Sequence, residues 1–464
     1  MIQTTTWDSY IEMEEEMNPE ILRQQKVLSH IKKGIWLYFW LLILEGALRK
    51  WVFPSLATPL LIVRDPVAII VLFLAFREGI FTSNAYTIIA LLVTFVSFLL
   101  TLFVGHGDVT VAVYGARIML IQFPLLFVIG IVFTYEDVIR IGRVLLMITP
   151  FMTILMAMQF YSPQSAWVNR GIGGDITGGG FSGAMGFFRP PGTFSFITGL
   201  ASFYGFVAIY VVFFWLDKSR QVNRWLLVVA TGCMLAAIPM SISRTLLFEV
   251  VLAFLFGLLA ASRQPAYMPR MAGTLVAGII LFVLLSNFGF FQTATEAFIS
   301  RFESADRVEG GLKGTLGDRF LGGMVTAVTE TTEQSLFVGK GLGMGTNAGA
   351  KLMTGTNRFL ISEGEWGRII GEMGLVLGLA TILLRVHLIA SMTINAVRAL
   401  RAENFLPWML IGFSLVNILQ GQWAQPASLG FAVLSGGLIL AALKGPEYDD
   451  DFEIEHLETE EVPL

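Results

Sequence analysis

The chain has 464 residues, 55% of them hydrophobic and only 14% charged, where an ordinary soluble domain carries about 25% charged residues. These numbers argue against a soluble enzyme and a disordered protein. The single cysteine, Cys233, excludes an intrachain disulfide and a Cys-based metal site. The net charge of −4 hides an asymmetry: residues 1–22 hold six acids and residues 445–464 hold nine, neither stretch has a Lys or Arg, and residues 23–444 hold 20 acids against 31 bases. A polytopic membrane protein with acidic tails fits this pattern.

In chain order, the opening residues carry Glu12, Glu14, Glu15 and Glu16, the opposite of a secretory leader. Residues 1–33 read as a cytoplasmic segment whose basic stretch, 23–33, lies at the anionic inner surface. A helix needs about 20 apolar residues to cross a bilayer. Windows of that length predict twelve spans, near 34–53, 58–76, 86–104, 110–133, 144–161, 195–216, 225–240, 243–261, 272–291, 365–390, 405–421 and 426–443. The expected fold is therefore all-α, with a transmembrane domain over 34–443, extracytoplasmic loops at 162–194 and 292–364, and an acidic cytoplasmic tail over 444–464. Placing both termini inside puts sixteen Lys and Arg of the short loops and helix ends on the cytoplasmic side and six on the other, so the positive-inside rule predicts N-in and C-in. The acidic tails read as solvated and disordered, or as sites that recruit partners. No internal repeat, Walker loop or dinucleotide fingerprint is present, and the four histidines are scattered. No metal, cofactor or nucleic-acid partner is implied.

Chemistry is expected on the outer side. Loop 162–194 holds nine glycines between Gly171 and Gly192, with Arg170 and Arg189. The glycine run reads as a flexible linker, but Arg189 is followed by Pro190 and Pro191, which fix the backbone where the next span begins. Ser241-Ile242-Ser243-Arg244 joins two apolar spans with almost no loop, so Arg244 lies at the outer interface, either snorkelling to lipid phosphates or serving a site. Glu45 with Arg49, and Arg64 with Asp65, read as structural pairs, and Arg117 is a further intramembrane charge. The second loop carries Arg301, Arg307, Arg319 and Arg358, the run Gly339-Lys340-Gly341-Leu342-Gly343-Met344-Gly345, and then Glu363 and Glu365. Residues 318–333 have the spacing of an amphipathic helix lying on the bilayer, opened by Arg319. Several arginines, two carboxylates and no metal ligands facing out suit an anionic lipid headgroup, above all a diphosphate, because guanidinium forks match phosphate oxygens. A carboxylate nearby would deprotonate an attacking hydroxyl.

Residues 189–194 (RPPGTF), 241–244 (SISR), 318–345 and 363–378 (EGEWGRIIGEMGLVLG) come in the order seen in the bacterial O-antigen ligase and O-antigen polymerase (Wzy/WaaL-type) family, which the chain resembles best over 185–380. The resemblance implies a GT-C-like membrane glycosyltransferase of about twelve spans, with a large periplasmic loop between the ninth and tenth. It implies that Arg189, Arg244 and Arg319 hold the undecaprenyl diphosphate of a glycan donor and stabilise the charge gathering on it as leaving group, with Arg319 counted as catalytic. Ligases of the family have a histidine nine residues before the glutamate matched by Glu372; here that position is Glu363, which favours the polymerase branch and makes Glu363 the expected acceptor base. Glu365, Arg368, Glu372 and Arg170 are secondary candidates. The implied function is polymerisation of an O-antigen- or exopolysaccharide-like glycan at the periplasmic face of the inner membrane, from a lipid-diphosphate donor to a lipid-linked acceptor. Implied partners are membrane lipid, a flippase and a chain-length regulator. The alternatives are a ligase to lipid A core or protein, and a non-catalytic transporter or flippase of lipid-linked glycans.

Overall fold

A computed structural model describes residues 19–81, 83–217, 221–263, 267–309, 337–355 and 360–446. The regular elements among the described residues are helices and one hairpin of two-residue strands. Its first half comprises α1 (Pro19–Ala47), α2 (Arg64–Arg77), α3 (Ala85–Phe103), α4 (Val109–Arg117), α5 (Phe123–Val132) and α6 (Tyr135–Tyr161). Strands β1 (Phe181–Ser182) and β2 (Phe188–Arg189) follow. The second half comprises α7 (Ile197–Leu216), α8 (Arg224–Ser241), α9 (Arg244–Arg263), α10 (Met268–Ser286), α11 (Gly289–Glu309), α12 (Asn347–Thr354), α13 (Glu365–Arg401), α14 (Leu406–Leu419) and α15 (Pro426–Ala442).

Among the described residues ten helices are long and apolar enough to cross a membrane, making this a multi-pass membrane protein; α4 and α5 count together as one. The sequence windows predicted twelve. The last two, α14 and α15, have 14 and 17 residues, so at the helical rise they extend about 21 and 26 Å, short of the ~30 Å hydrocarbon core. Other boundaries move outward: α6 starts at Tyr135 because Thr134 and Asp137 form a capping box, and α13, which is broken by a kink at Gly374 (φ 79°), runs on to Arg401. The ninth apolar window divides into α10 and α11, and α11 carries helix into what reads as loop. The amphipathic segment 318–333 lies outside the described residues.

Helix α7 is the hub. Nearly all its residues are buried, and it packs on α8, α9 and α14. By contrast α10 buries only Met271 and Thr274 and turns Ile279 and Ile280 outward. Apolar side chains such as Phe73, Phe95, Phe151 and Ile154 are exposed around the bundle, as lipid contact requires.

Several charges inside the bundle are paired. Arg49 donates to Glu45 at 3.0 Å, as the sequence spacing predicts. The expected Arg64–Asp65 pair is not what forms. Asp65 instead accepts two hydrogen bonds from Arg117, at 3.0 and 2.8 Å, and one from Gln122 at 2.6 Å. Arg64 donates to the Tyr38 hydroxyl at 3.2 Å and to the carbonyl of Pro426. The reason is the π-helical turn Ile118–Gln122 between α4 and α5: a wider turn brings residues five apart onto one face, so Arg117 and Gln122 both reach Asp65.

Candidate functional site

Arg189 ends a segment held rigidly from below. At the end of α1 a second π turn, Leu48–Val52, turns Lys50 inward. Buried there, Lys50 Nζ donates to the carbonyls of Gly192 (2.7 Å) and Phe194 (2.8 Å). The Gln159 side chain brackets Gly192 from both sides, accepting from its N–H at 2.8 Å and donating to its carbonyl at 3.2 Å. Arg49 reaches the Ser195 hydroxyl at 2.9 Å, and the Thr193 hydroxyl donates to the Ile43 carbonyl at 2.6 Å. Gly192 takes a φ of 60°, which a side chain would resist. The Gly192 N–H, the Gly192 and Phe194 carbonyls and the Thr193 and Ser195 hydroxyls therefore have fixed partners, and the strand residue Arg189, paired across the hairpin with Phe181, starts from a rigid base.

The turn between α8 and α9 is as tight as the sequence predicts. Ile242 sits in the left-handed region at φ 47° and is buried, a conformation that costs a β-branched residue roughly 1–3 kcal/mol. Local bonds hold it there: Ile242 N–H donates to the Pro239 carbonyl at 3.1 Å, and Ser243 N–H to the Ser241 hydroxyl at 3.1 Å. The sharp reversal starts α9 at Arg244.

These two features meet. Arg189, Ser243 and Arg244 line one cavity of about 560 Å³, together with Arg301 from α11 and Glu249 from α9. Its other walls are the first turns of α7 (Ile197, Thr198, Ala201, Ser202) and the end of α14 with the following loop (Asn417, Gln420, Gly421, Gln422). Pockets of about 300–1,000 Å³ are the usual size for small-ligand sites. Arg189 is half-buried, and its Nε is shut from solvent with no hydrogen-bond partner among the described residues. Burial, and then the positive charges of Arg301 and Arg244, lower the pKa of the Arg189 guanidinium below its ordinary value. An arrangement of like charges around a cavity favours an anion in it.

Of the other residues expected at the site, Arg319 lies outside the described residues. Arg170 is half-buried at the end of the short helix Trp167–Asn169 and is not among the lining residues of the cavity. Glu363 is exposed and lines a separate, smaller crevice with Ser362 and Asn347. The link between the two is Gln422, which lines both and donates to the Glu363 carbonyl at 2.7 Å.

Glu365, Arg368 and Glu372 form a buried ladder on the first turns of α13, as their spacing predicts. Arg368 holds Glu365 at 2.9 and 2.8 Å and Glu372 at 2.7 Å. Arg385 extends it, donating to Glu365 at 2.7 Å, to the Ile418 carbonyl at 2.7 Å and to the Gly421 carbonyl at 3.1 Å. Trp423 covers the Arg385 guanidinium, with its ring centre 3.8 Å away. Glu372 also accepts from the Gly345 N–H at 2.8 Å, tying down the end of the glycine run 339–345. This network stands behind the cavity and fixes the Gly421–Gln422 loop that walls it.

Two lining residues were not singled out from sequence. Arg301 read as one of several loop arginines, and Glu249 as part of an apolar span. The signal for Glu249 was its isolation as the one acid in α9. Among the described residues, no three His, Cys, Asp or Glu side chains gather as metal ligands would. Compared with known proteins, the chain matches no family model and no curated sequence.

Proposed function

We propose that this protein is a polysaccharide polymerase of the bacterial inner membrane. It moves a glycan from an undecaprenyl-diphosphate carrier to a sugar hydroxyl of a lipid-linked acceptor at the outer face. The observation that carries the reading is the convergence of Arg189, Arg244 and Arg301 on one cavity at the ends of apolar helices. Guanidiniums there would fork onto the diphosphate oxygens. They would then neutralise the charge that gathers on the diphosphate as the anomeric bond breaks, which is where prepositioned donors lower a barrier most. Direct attack by the acceptor hydroxyl inverts the anomeric carbon. Arg319 joins this set through the family resemblance alone. Glu365, Arg368, Glu372 and Arg385 take a supporting role in this scheme, since their polar atoms are spent on one another and on the loop beside the cavity. A ligase would use the same donor chemistry with a different acceptor.

The test is transfer by the purified protein in detergent, given an undecaprenyl-diphosphate-linked oligosaccharide and no nucleotide. Lengthening of the lipid-linked glycan with release of undecaprenyl diphosphate is expected. Tight binding without any product would instead mark a transporter, and neither binding nor product would overturn the reading.

A further inference from the structure

We infer that Glu249 is the base that takes the proton of the attacking acceptor hydroxyl; the inference rests on the glycosyl-transfer reading above. Four observations carry it. Among the described residues that line the arginine cavity, Glu249 is the acidic side chain. Its Oε2 is shut from solvent and meets no hydrogen-bond donor among the described residues. It is the one carboxylate in a helix of 20 mostly apolar residues, where an ionisable group is costly and is kept for a task. Lastly, α7 makes room for it: a methyl group on Gly205 would collide with the Glu249 carboxylate.

The spacing suits the chemistry. Glu249 lies five residues past Arg244 on α9, about 7.5 Å further into the bundle. With the diphosphate on the arginines, the anomeric carbon sits next to it. The acceptor oxygen must approach from the far side to about 3–3.5 Å, and its base must lie a hydrogen bond of about 2.6–3.2 Å beyond that. A carboxylate several ångström past the cation cluster meets that demand. Glu363, the base expected from the resemblance, is exposed and lines the neighbouring crevice, so only its backbone carbonyl is tied to the cavity wall, through Gln422.

In the step, the Glu249 carboxylate accepts the hydroxyl proton while the hydroxyl oxygen forms its bond to the anomeric carbon. The bond from that carbon to the diphosphate oxygen breaks, and its electron pair leaves on undecaprenyl diphosphate, whose added negative charge meets Arg189, Arg244 and Arg301. The protonated Glu249 returns its proton to water when product leaves.

The experiment uses the full chain in detergent, with undecaprenyl-diphosphate-linked oligosaccharide as donor and acceptor. Glu249→Gln is expected to lower kcat by about 100-fold to 10,000-fold, to leave KM and the affinity for undecaprenyl diphosphate unchanged, and to erase the acidic limb of the pH–rate profile. Glu249→Asp keeps a carboxylate and should retain that limb at a reduced rate. Gly205→Ala, which alters no charge, should lower kcat by displacing the carboxylate. Near-normal turnover of Glu249→Gln, or a rise in KM with kcat unchanged, would overturn the assignment. If Glu249→Gln fails to fold, the decision passes to the other two variants: wild-type rates for both Glu249→Asp and Gly205→Ala overturn it equally. A wild-type protein that neither binds nor transfers overturns the glycosyl-transfer reading itself, which is a separate result from an active Glu249→Gln.

Discussion

Arg301 and Arg244 place positive charge beside the half-buried Arg189 guanidinium across a cavity, an unfavourable arrangement that an anion bound there would relieve. Residues kept for function at the expense of stability have a recognisable signature. Arg189→Lys keeps the cation but loses the fork that grips two phosphate oxygens. We expect turnover to fall about 100-fold to 1,000-fold, the usual effect of losing one charged donor that acts in the transition state, while the ligand-free melting temperature stays at or above that of the wild type. Full polymer length from a normally expressed Arg189→Lys protein would reduce this arginine to solvated surface. Of the four charged residues that line the cavity, the sequence singles out two. Arg189 stands out because two prolines follow it, and Arg244 because almost no loop precedes it. Arg301 and Glu249 have no neighbour at a telling spacing, and although Glu249 is the one acid in α9, that the two meet at the cavity depends on how α9 and α11 pack.

Elements meet at the cavity because α1 and α13 hold its walls from behind. Gly46, near the end of α1, passes so close to the Phe194–Ser195 backbone that a methyl group would run into it. Backbone cannot swing aside as a side chain does, so Gly46→Ala should cost about 1–3 kcal/mol of stability and weaken donor binding by shifting the Arg189 segment. Gly278→Ala on α10, with nothing nearby for the methyl to meet, is the control and should leave both unchanged. The ladder on α13 makes the opposite demand from the arginine cavity. Taking one partner from a buried ion pair costs about 3–5 kcal/mol, because the other charge is left stranded. Glu365→Gln leaves Arg385 without its carboxylate and Arg368 with Glu372 alone, so thermal melting should show a large loss of stability before any loss specific to turnover. Equal melting curves with abolished transfer would move Glu365 from scaffold to chemistry. This ladder was legible in the sequence because residues three and four apart on a helix must meet. The Asp65–Arg117 bond was not, because a π turn places it, and residue spacing read at the ordinary helical period does not anticipate the extra residue of such a turn.

The bundle has two unlike ends. At one, Arg189, Arg244 and Arg301 surround the cavity. At the other, Lys32 pairs with Asp137 at 2.6 Å and Lys444 donates to the carbonyls of Ile131 and Phe133 at 2.6 and 2.8 Å. Helices α7 and α9 both run from the first end to the second, and Arg270 at the start of α10 closes on the last carbonyl of α7 at 3.2 Å. The short loops of the second end carry most of the Lys and Arg, which the positive-inside rule assigns to the cytoplasm. The arginine cavity would then open outward, where a lipid-linked glycan is presented. Orientation is thus the premise on which the polymerase reading depends, and it can be measured without any assay of transfer. In a Cys233→Ser background, Ser304→Cys on α11 should react with a membrane-impermeant maleimide in intact cells, whereas Ser9→Cys in the acidic tail should react only after the inner membrane is broken. The reverse labelling would put the cavity in the cytoplasm. There the same three arginines would face nucleotides and soluble phosphates instead of an outward-facing lipid diphosphate, and the proposed reaction would lose its substrate.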